Sequence, residues 1–242
     1  MCGVNVATYK LNAFVIQKTI AKWKKIGMSF LERVKNPPLS VSYIQKREIS
    51  EMLVKLKPEA KVLNIGSKNT RLFENIINVD IIHLPEVDII GDAHKLPFKD
   101  KTVDGIIITA VLEIVEDPWL VVSELHRVLK NDGVVLATVP FLQPYHPDPT
   151  DCHRFTIDGV GALFRDFREV KVRNTRGPIC MFIWILRDFL ATLLSFNNDF
   201  LWKVNKILWG WFLFPFKYLD YIVPDFKRLY FISSSFLYVG KK

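Results

Sequence analysis

The chain has 242 residues, half of them hydrophobic, and carries 33 Lys and Arg against 25 Asp and Glu, a formal net charge of +8. That length and apolar content supply a core for one large domain with an insertion, and no internal repeat or low-complexity stretch points elsewhere. The cysteines Cys2, Cys152 and Cys180 have no metal-ligand spacing and cannot all pair, which argues against a disulfide framework and reads as reduced thiols of a cytoplasmic protein.

The charge is unevenly placed. Residues 1–57 carry eleven Lys and Arg and three acids, while residues 58–242 carry twenty-two of each. No acid precedes Glu32, and Leu11, Phe14, Val15, Trp23, Ile26, Phe30 and Leu31 fall close to helical spacing beside a run of lysines. Two readings stay open for this basic helical region: a helix packed on the domain, or an amphipathic helix lying on an anionic membrane through residues 1–34. Nucleic-acid binding is a third and is not expected, because no recognised motif accompanies the basic residues. A secretory signal is not expected either, since no uninterrupted apolar core or cleavage site follows the charges. Asn36-Pro37-Pro38-Leu39-Ser40 ends the first helix, and a second runs over about 41–56 with Pro58 at its exit.

Lys61-Val62-Leu63-Asn64-Ile65 reads as a buried parallel strand ending in a tight turn at Gly66, where the missing Cβ permits close backbone approach. Ile76-Ile77-Asn78-Val79-Asp80 repeats the pattern and closes on a carboxylate. A glycine turn after one strand and an acid ending the next form the nucleotide-binding half of an open α/β sheet. The short connection between them predicts a helix of only two turns. Val87-Asp88-Ile89-Ile90 is a third strand and residues 103–109 a fourth. Asp117-Pro118 starts a helix whose Val121, Val122, Leu125, Val128 and Leu129 share one face, and 134–139 is the fifth strand.

These segments, with Gly91-Asp92-Ala93-His94-Lys95-Leu96-Pro97-Phe98, Thr102-Val103-Asp104-Gly105-Ile106-Ile107 and Glu124-Leu125-His126-Arg127-Val128-Leu129-Lys130-Asn131-Asp132-Gly133, resemble the class I S-adenosylmethionine-dependent methyltransferases. The likeness is to the group that includes the quinone-biosynthesis enzymes and covers residues 58–160. It implies an α/β fold: a Rossmann-like seven-stranded sheet, mostly parallel with an antiparallel last strand, and helices on both faces. It implies S-adenosyl-L-methionine as cofactor, held by Asn64, Gly66, Ser67, Lys68, Asp80, Ile81, Asp92, Ala93 and Thr109. Two positions depart from the family pattern. Asn64 stands where an acid is usual and brings no negative charge, and Lys68 stands where a second glycine is usual.

Pro140 to Thr156 is the chemically densest segment, and it follows the carboxyl end of a central strand, where open sheets place ligands. One reading has Asp151 and Arg154 pairing to brace the loop. Another makes it a substrate lid in which Tyr145 and His146 contact the acceptor, His146 as base or hydrogen-bond partner, while Asp151 and Arg154 orient it. A metal site of His146, Asp151 and His153 is the third reading; without fixed spacing no metal is expected.

After a helix at 157–166 and a sixth strand near 169–173, the chain turns aromatic: residues 177–242 hold 18 of the 31 aromatics. Uncharged runs stop near ten residues, short of the ~20 a membrane span needs. The expected organisation is 1–57 basic helices, 58–176 core, 177–228 a helical insertion or lid, and 229–242 the last strand. The insertion either closes over the site or, through 177–223, dips into a bilayer interface. The functional expectation is methyl transfer to a small hydrophobic or glycan-linked acceptor, in the cytoplasm or peripherally on the inner face of a membrane. A non-catalytic binding protein with the same fold is the alternative, and a nucleic-acid methyltransferase a third.

Overall fold

Short apolar runs, each closed by a glycine, an acid or a threonine, become the parallel centre of one sheet. The computed structural model describes residues 43–147, 149–175, 177–223 and 227–242. The strands are β1 (Val62–Ile65), β2 (Ile76–Asp80), β3 (Ile89–Ile90), β4 (Val103–Thr109), β5 (Leu129–Pro140), β6 (Arg168–Asn174) and β7 (Ser235–Lys241). Their order is β3-β2-β1-β4-β5-β7-β6; the first five are parallel and β7 runs antiparallel to both neighbours. The expected Rossmann-like sheet is therefore present. The order reverses between β1 and β4, the point where such sheets open a crevice at the carboxyl ends of their strands.

Successive residues of a strand face opposite sides, so each central strand feeds two cores. Leu63, Ile65, Val79, Ile106 and Ile108 pack with Val121, Val122, Leu125 and Val128 of α2 (Pro118–Val128) and with Val160 and Leu163 of α3 (Ile157–Leu163). On the other face Val62, Ile76, Ile107 and Leu136 meet Ile49 and Met52 of α1 (Tyr43–Lys55). Each such fully buried side chain contributes about 1.5–3 kcal/mol of transfer free energy. Gly105 lets α1 lie this close, since a Cβ there would stand 2.6 Å from the Met52 methyl. The core thus begins before residue 58, inside the stretch assigned by sequence to the basic N-terminal region. The expected helix over residues 1–34 lies outside the described residues.

Asp117 caps α2 by accepting from the Leu120 N–H at 2.9 Å, with Pro118 at the first position, as its sequence requires. The third strand is shortened to Ile89–Ile90 and the helix from Ile157 ends at Leu163, and three further differences from expectation bear on the site and the sheet. The two-turn helix between β1 and β2 does not form: ten residues cross as turns, too few to leave one strand, wind a helix and re-enter in parallel. The glycine turn at Gly133 does not precede β5 but lies inside it, because Lys130 pairs with Asp104 of β4 and Asp132 and Gly133 hydrogen-bond Lys242. The last strand starts at Ser235, as Lys227–Ile232 forms a 3₁₀ turn.

Between β6 and β7 stand α4 (Pro178–Leu193), α5 (Asp199–Leu213) and a 3₁₀ segment, Phe214–Tyr221. Ile183 and Leu213 are buried between the helices with Ile179, Leu186 and Phe214 around them. The buried Asp220 carboxylate accepts from the Ile179 and Cys180 N–H groups at 2.9 and 2.8 Å, placing a negative charge at the N-terminus of α4. Among the described residues no helix is long and apolar enough to cross a membrane.

Candidate active site

The site is built at the carboxyl ends of β1, β2 and β4. The chain leaves β1 through Gly66 at φ +69°, and a Cβ there would stand 2.2 Å from a Val111 methyl, so only glycine fits both the turn and its neighbour. The Gly66 and Ser67 N–H groups donate to the Val79 carbonyl at 2.9 and 3.3 Å, folding the turn over the end of β2. Asp80, buried at that end, accepts from the Lys68 N–H at 2.7 Å and the Ile82 N–H at 3.1 Å. Two main-chain donors fix the carboxylate while each oxygen keeps a lone pair for a ligand.

Lys68 holds φ +47°, the left-handed region in which a glycine is unstrained. The backbone there takes a conformation that favours glycine, with a lysine in it. Asn64 does not reach the turn. Its amide donates to Asn78 Oδ1 at 3.0 Å, and Asn78 in turn donates to the Thr70 and Glu86 carbonyls. An acid at position 64 would lack the donor this bond needs. The helix-free crossover is held by Arg71, which donates to Glu86, Asp88 and the Ile76 carbonyl; its guanidinium keeps the Asp88 carboxyl below the usual range.

β3 delivers Asp92 and Ala93 beside this group, since the Gly91 N–H donates to the Asp80 carbonyl at 2.9 Å. Asp92 accepts from the backbone N–H and ring of His94, and those bonds lower its pKa. Ala93 packs against the main core, and Ile81 stands two-thirds exposed at the crevice edge. Thr109 ends β4 next to β1, and Ala110 follows at φ +54°. A non-glycine residue in that region stores on the order of 1 kcal/mol of strain, a common mark of functional strand ends.

Of the second group of expected residues, the structure joins three and leaves one apart. Asp151 and Arg154 form a two-pronged ion pair within the loop after β5, and the Asp151 side chain is almost wholly enclosed. Arg154 holds the Asp151 carboxyl down at about 2, with the His146 N–H donating to it as well. His146 Nδ1 lies 2.9 Å from the Pro144 carbonyl, an acceptor, so that nitrogen carries a proton and Nε2 is the ring nitrogen available to a ligand. Its ring centroid stands 5.7 Å from that of Trp184 on α4. Tyr145 points out, 74% exposed. His153 lies with its Nε2 3.3 Å from the Glu116 carbonyl, and among the described residues no three His, Cys, Asp or Glu side chains gather as a metal site.

Sequence reasoning passed over Glu113. It is 3% exposed, its Oε2 has no hydrogen-bond partner among the described residues, and burial pushes its carboxyl pKa up, with His146 and Arg154 pulling the other way. Its main-chain carbonyl accepts from the Cys152 and His153 N–H groups, tying the loop to the segment that carries Val111 and, through it, Gly66. Residues 109–113 thus join the two groups. Beyond the loop, Pro144 and the α4 residues Ile185, Asp188, Phe189 and Thr192 line an open pocket of about 350 Å³.

Sheet order, glycine turn and β2 acid together make a Rossmann-like nucleotide-binding sheet. Residues 50–137 match the methyltransferase domain family. The chain is 30% identical over 111 residues to a demethylmenaquinone methyltransferase of Staphylococcus aureus, covering 45% of this chain and 42% of that protein. The chain therefore spans less than half the length of the curated relatives it matches. In fold it is similar to a putative sarcosine dimethylglycine methyltransferase from Galdieria sulphuraria (TM-score 0.54, 13% identity, 83% and 84% of the two chains). It is likewise similar to an S-adenosylmethionine-dependent methyltransferase from Archaeoglobus fulgidus (0.52, 16%, 84% and 95%).

Proposed function

We propose that this chain is an S-adenosylmethionine-dependent methyltransferase whose acceptor, small and hydrophobic or glycan-linked, sits between the loop after β5 and α4. The observation that carries the reading is Asp80, a carboxylate fixed by two backbone N–H groups beside a glycine turn at the sheet's switch point. Asp80 would take the ribose hydroxyls, the main chain of Gly66 and Ser67 would lie along the methionine moiety with Thr109, and Asp92 and Ala93 would frame the adenine.

The cofactor supplies an activated methyl group on a sulfonium. The chain's own work is alignment: the loop after β5 and the α4 residues hold the acceptor's nucleophilic atom in line with the methyl. The bound cofactor would give up its methyl to that atom's lone pair and would retain the electron pair of the broken carbon–sulfur bond. If the acceptor is a hydroxyl, His146 Nε2 would accept its proton, a role supported by the Nδ1 contact to the Pro144 carbonyl. The apolar pocket beside Pro144 supports a hydrophobic acceptor. The glycan-linked reading rests on the polar loop alone.

The second reading is a non-catalytic binding protein, favoured by Lys68 in the glycine conformation and by Asn64 turned to Asn78. Calorimetric titration with S-adenosylmethionine separates the two. Micromolar binding that collapses in Asp80→Ala supports the enzyme; no heat at millimolar cofactor sinks it.

A further inference from the structure

The insertion between β6 and β7 leaves much of its apolar surface outside. Phe182, Ile185, Phe189 and Leu193 follow at helical spacing along one face of α4, and all four are exposed although Cys180, Met181 and Ile183 already bury the other face. Phe200, Leu208 and Phe212 of α5 are 72, 61 and 64% exposed, and Tyr218, Tyr221 and Ile222 extend the surface past its end. A contiguous apolar helix face left exposed belongs against a core, a partner or lipid, and such a patch on a monomer marks a contact site.

We infer that this face docks on the surface of an anionic lipid bilayer. Composition and charge choose this occupant over a second copy of the chain. Two of the three acids between residues 178 and 223 are turned inward or matched, Asp220 capping α4 and Asp188 pairing with Arg187 and Lys206; Asp199 alone is exposed, opposite the exposed Lys203. The chain's formal +8, an excess carried by residues 1–57 while residues 58–242 balance, repels another copy of the chain and is drawn to anionic headgroups. Trp211, Tyr218 and Tyr221 are the side-chain types that settle at a headgroup boundary. Ile185 and Phe189 belong both to the exposed face and to the pocket beside Pro144, so a docked chain opens that pocket towards the lipid. Docking does not depend on methyl transfer; only the delivery of an acceptor through the pocket rests on that reading.

The test is flotation of the full chain with vesicles of phosphatidylcholine alone and of phosphatidylcholine with 30% phosphatidylglycerol. The expected result is co-flotation with the anionic vesicles, weakened by 0.5 M salt, and a loss of at least tenfold in partitioning for Phe182→Asp/Phe200→Asp/Phe212→Asp. Brominated lipids should quench tryptophan fluorescence of the wild-type chain, less so in Trp211→Phe, which reads contact without relying on the triple variant's folding. Unchanged flotation of a triple variant with native circular dichroism, as basic residues outside this face would give, overturns the proposal. So does a chain that ignores both vesicles or sediments as a dimer dispersed by the same substitutions. Cofactor titration of the wild-type chain keeps the two readings apart: no cofactor heat from a chain that floats as expected would sink methyl transfer and leave docking standing.

Discussion

Two loops flank the crevice, and each is held by one arginine in a different way. Arg71 reaches from the β1–β2 crossover to the Glu86 side chain and carbonyl and the Asp88 carboxylate of the neighbouring crossover, and to the Ile76 carbonyl at the start of β2. Arg154 turns inward on its own loop, gripping Asp151 three residues earlier and the Pro144 and His153 carbonyls. The first bracing replaces a helix and serves the sheet. The second braces a loop from within, while the Glu113 carbonyl ties that loop to the segment after β4 and Phe155 anchors it in the core.

The largest effect expected is from Arg154→Ala, which leaves the enclosed Asp151 carboxylate unpaired and costs about 3 kcal/mol, read as a fall in melting temperature. Acceptor turnover should drop while cofactor affinity holds; a loss of cofactor affinity would erase the distinction between the loops. Asp80→Ala tests the other side, removing charge-assisted bonds worth about 2 kcal/mol and weakening the cofactor on the order of 30-fold in calorimetry. Arg71→Ala should cost about 2 kcal/mol of stability and loosen both crossovers, seen as faster amide exchange at Asn78.

The pH profile sharpens the comparison. The folded Asp151 pKa is depressed to about 2, so its pairing stabilises the fold fully above about pH 4. That contribution fades as pH falls from about 4 through 2, and Arg154→Ala should flatten stability in that window alone. Lys68→Gly carries the smallest effect: relief of the left-handed φ, offset by glycine's unfolded-state entropy, gains under about 1 kcal/mol. A loss instead would show that the lysine side chain contributes more than its backbone costs.

The sequence carried the parallel strands because each is a short apolar run with its own terminator, and the Asp151–Arg154 pair because three residues separate them. It could not show that the first crossover lacks a helix, since that depends on Arg71 meeting Glu86 and Asp88 from another connection. Glu113 escaped for a similar reason. An acid after a strand gives no periodic signal, and its burial is made by a loop that returns almost forty residues later.

The insertion leaves the sheet at Thr175 and re-enters at Ser235, and those two residues touch: the Thr175 N–H donates to the Ser235 carbonyl at 3.1 Å. The helices therefore hang from a closed neck, and the β6–β7 pairing does not register how much chain lies between. Such a neck makes the insertion an exchangeable cassette, free to lengthen, shorten or be replaced without re-threading the sheet. The neck is also where the Phe141 and Leu142 N–H groups dock, on Ser234 and Ser233, so a change of cassette would be felt first at the loop beside the crevice.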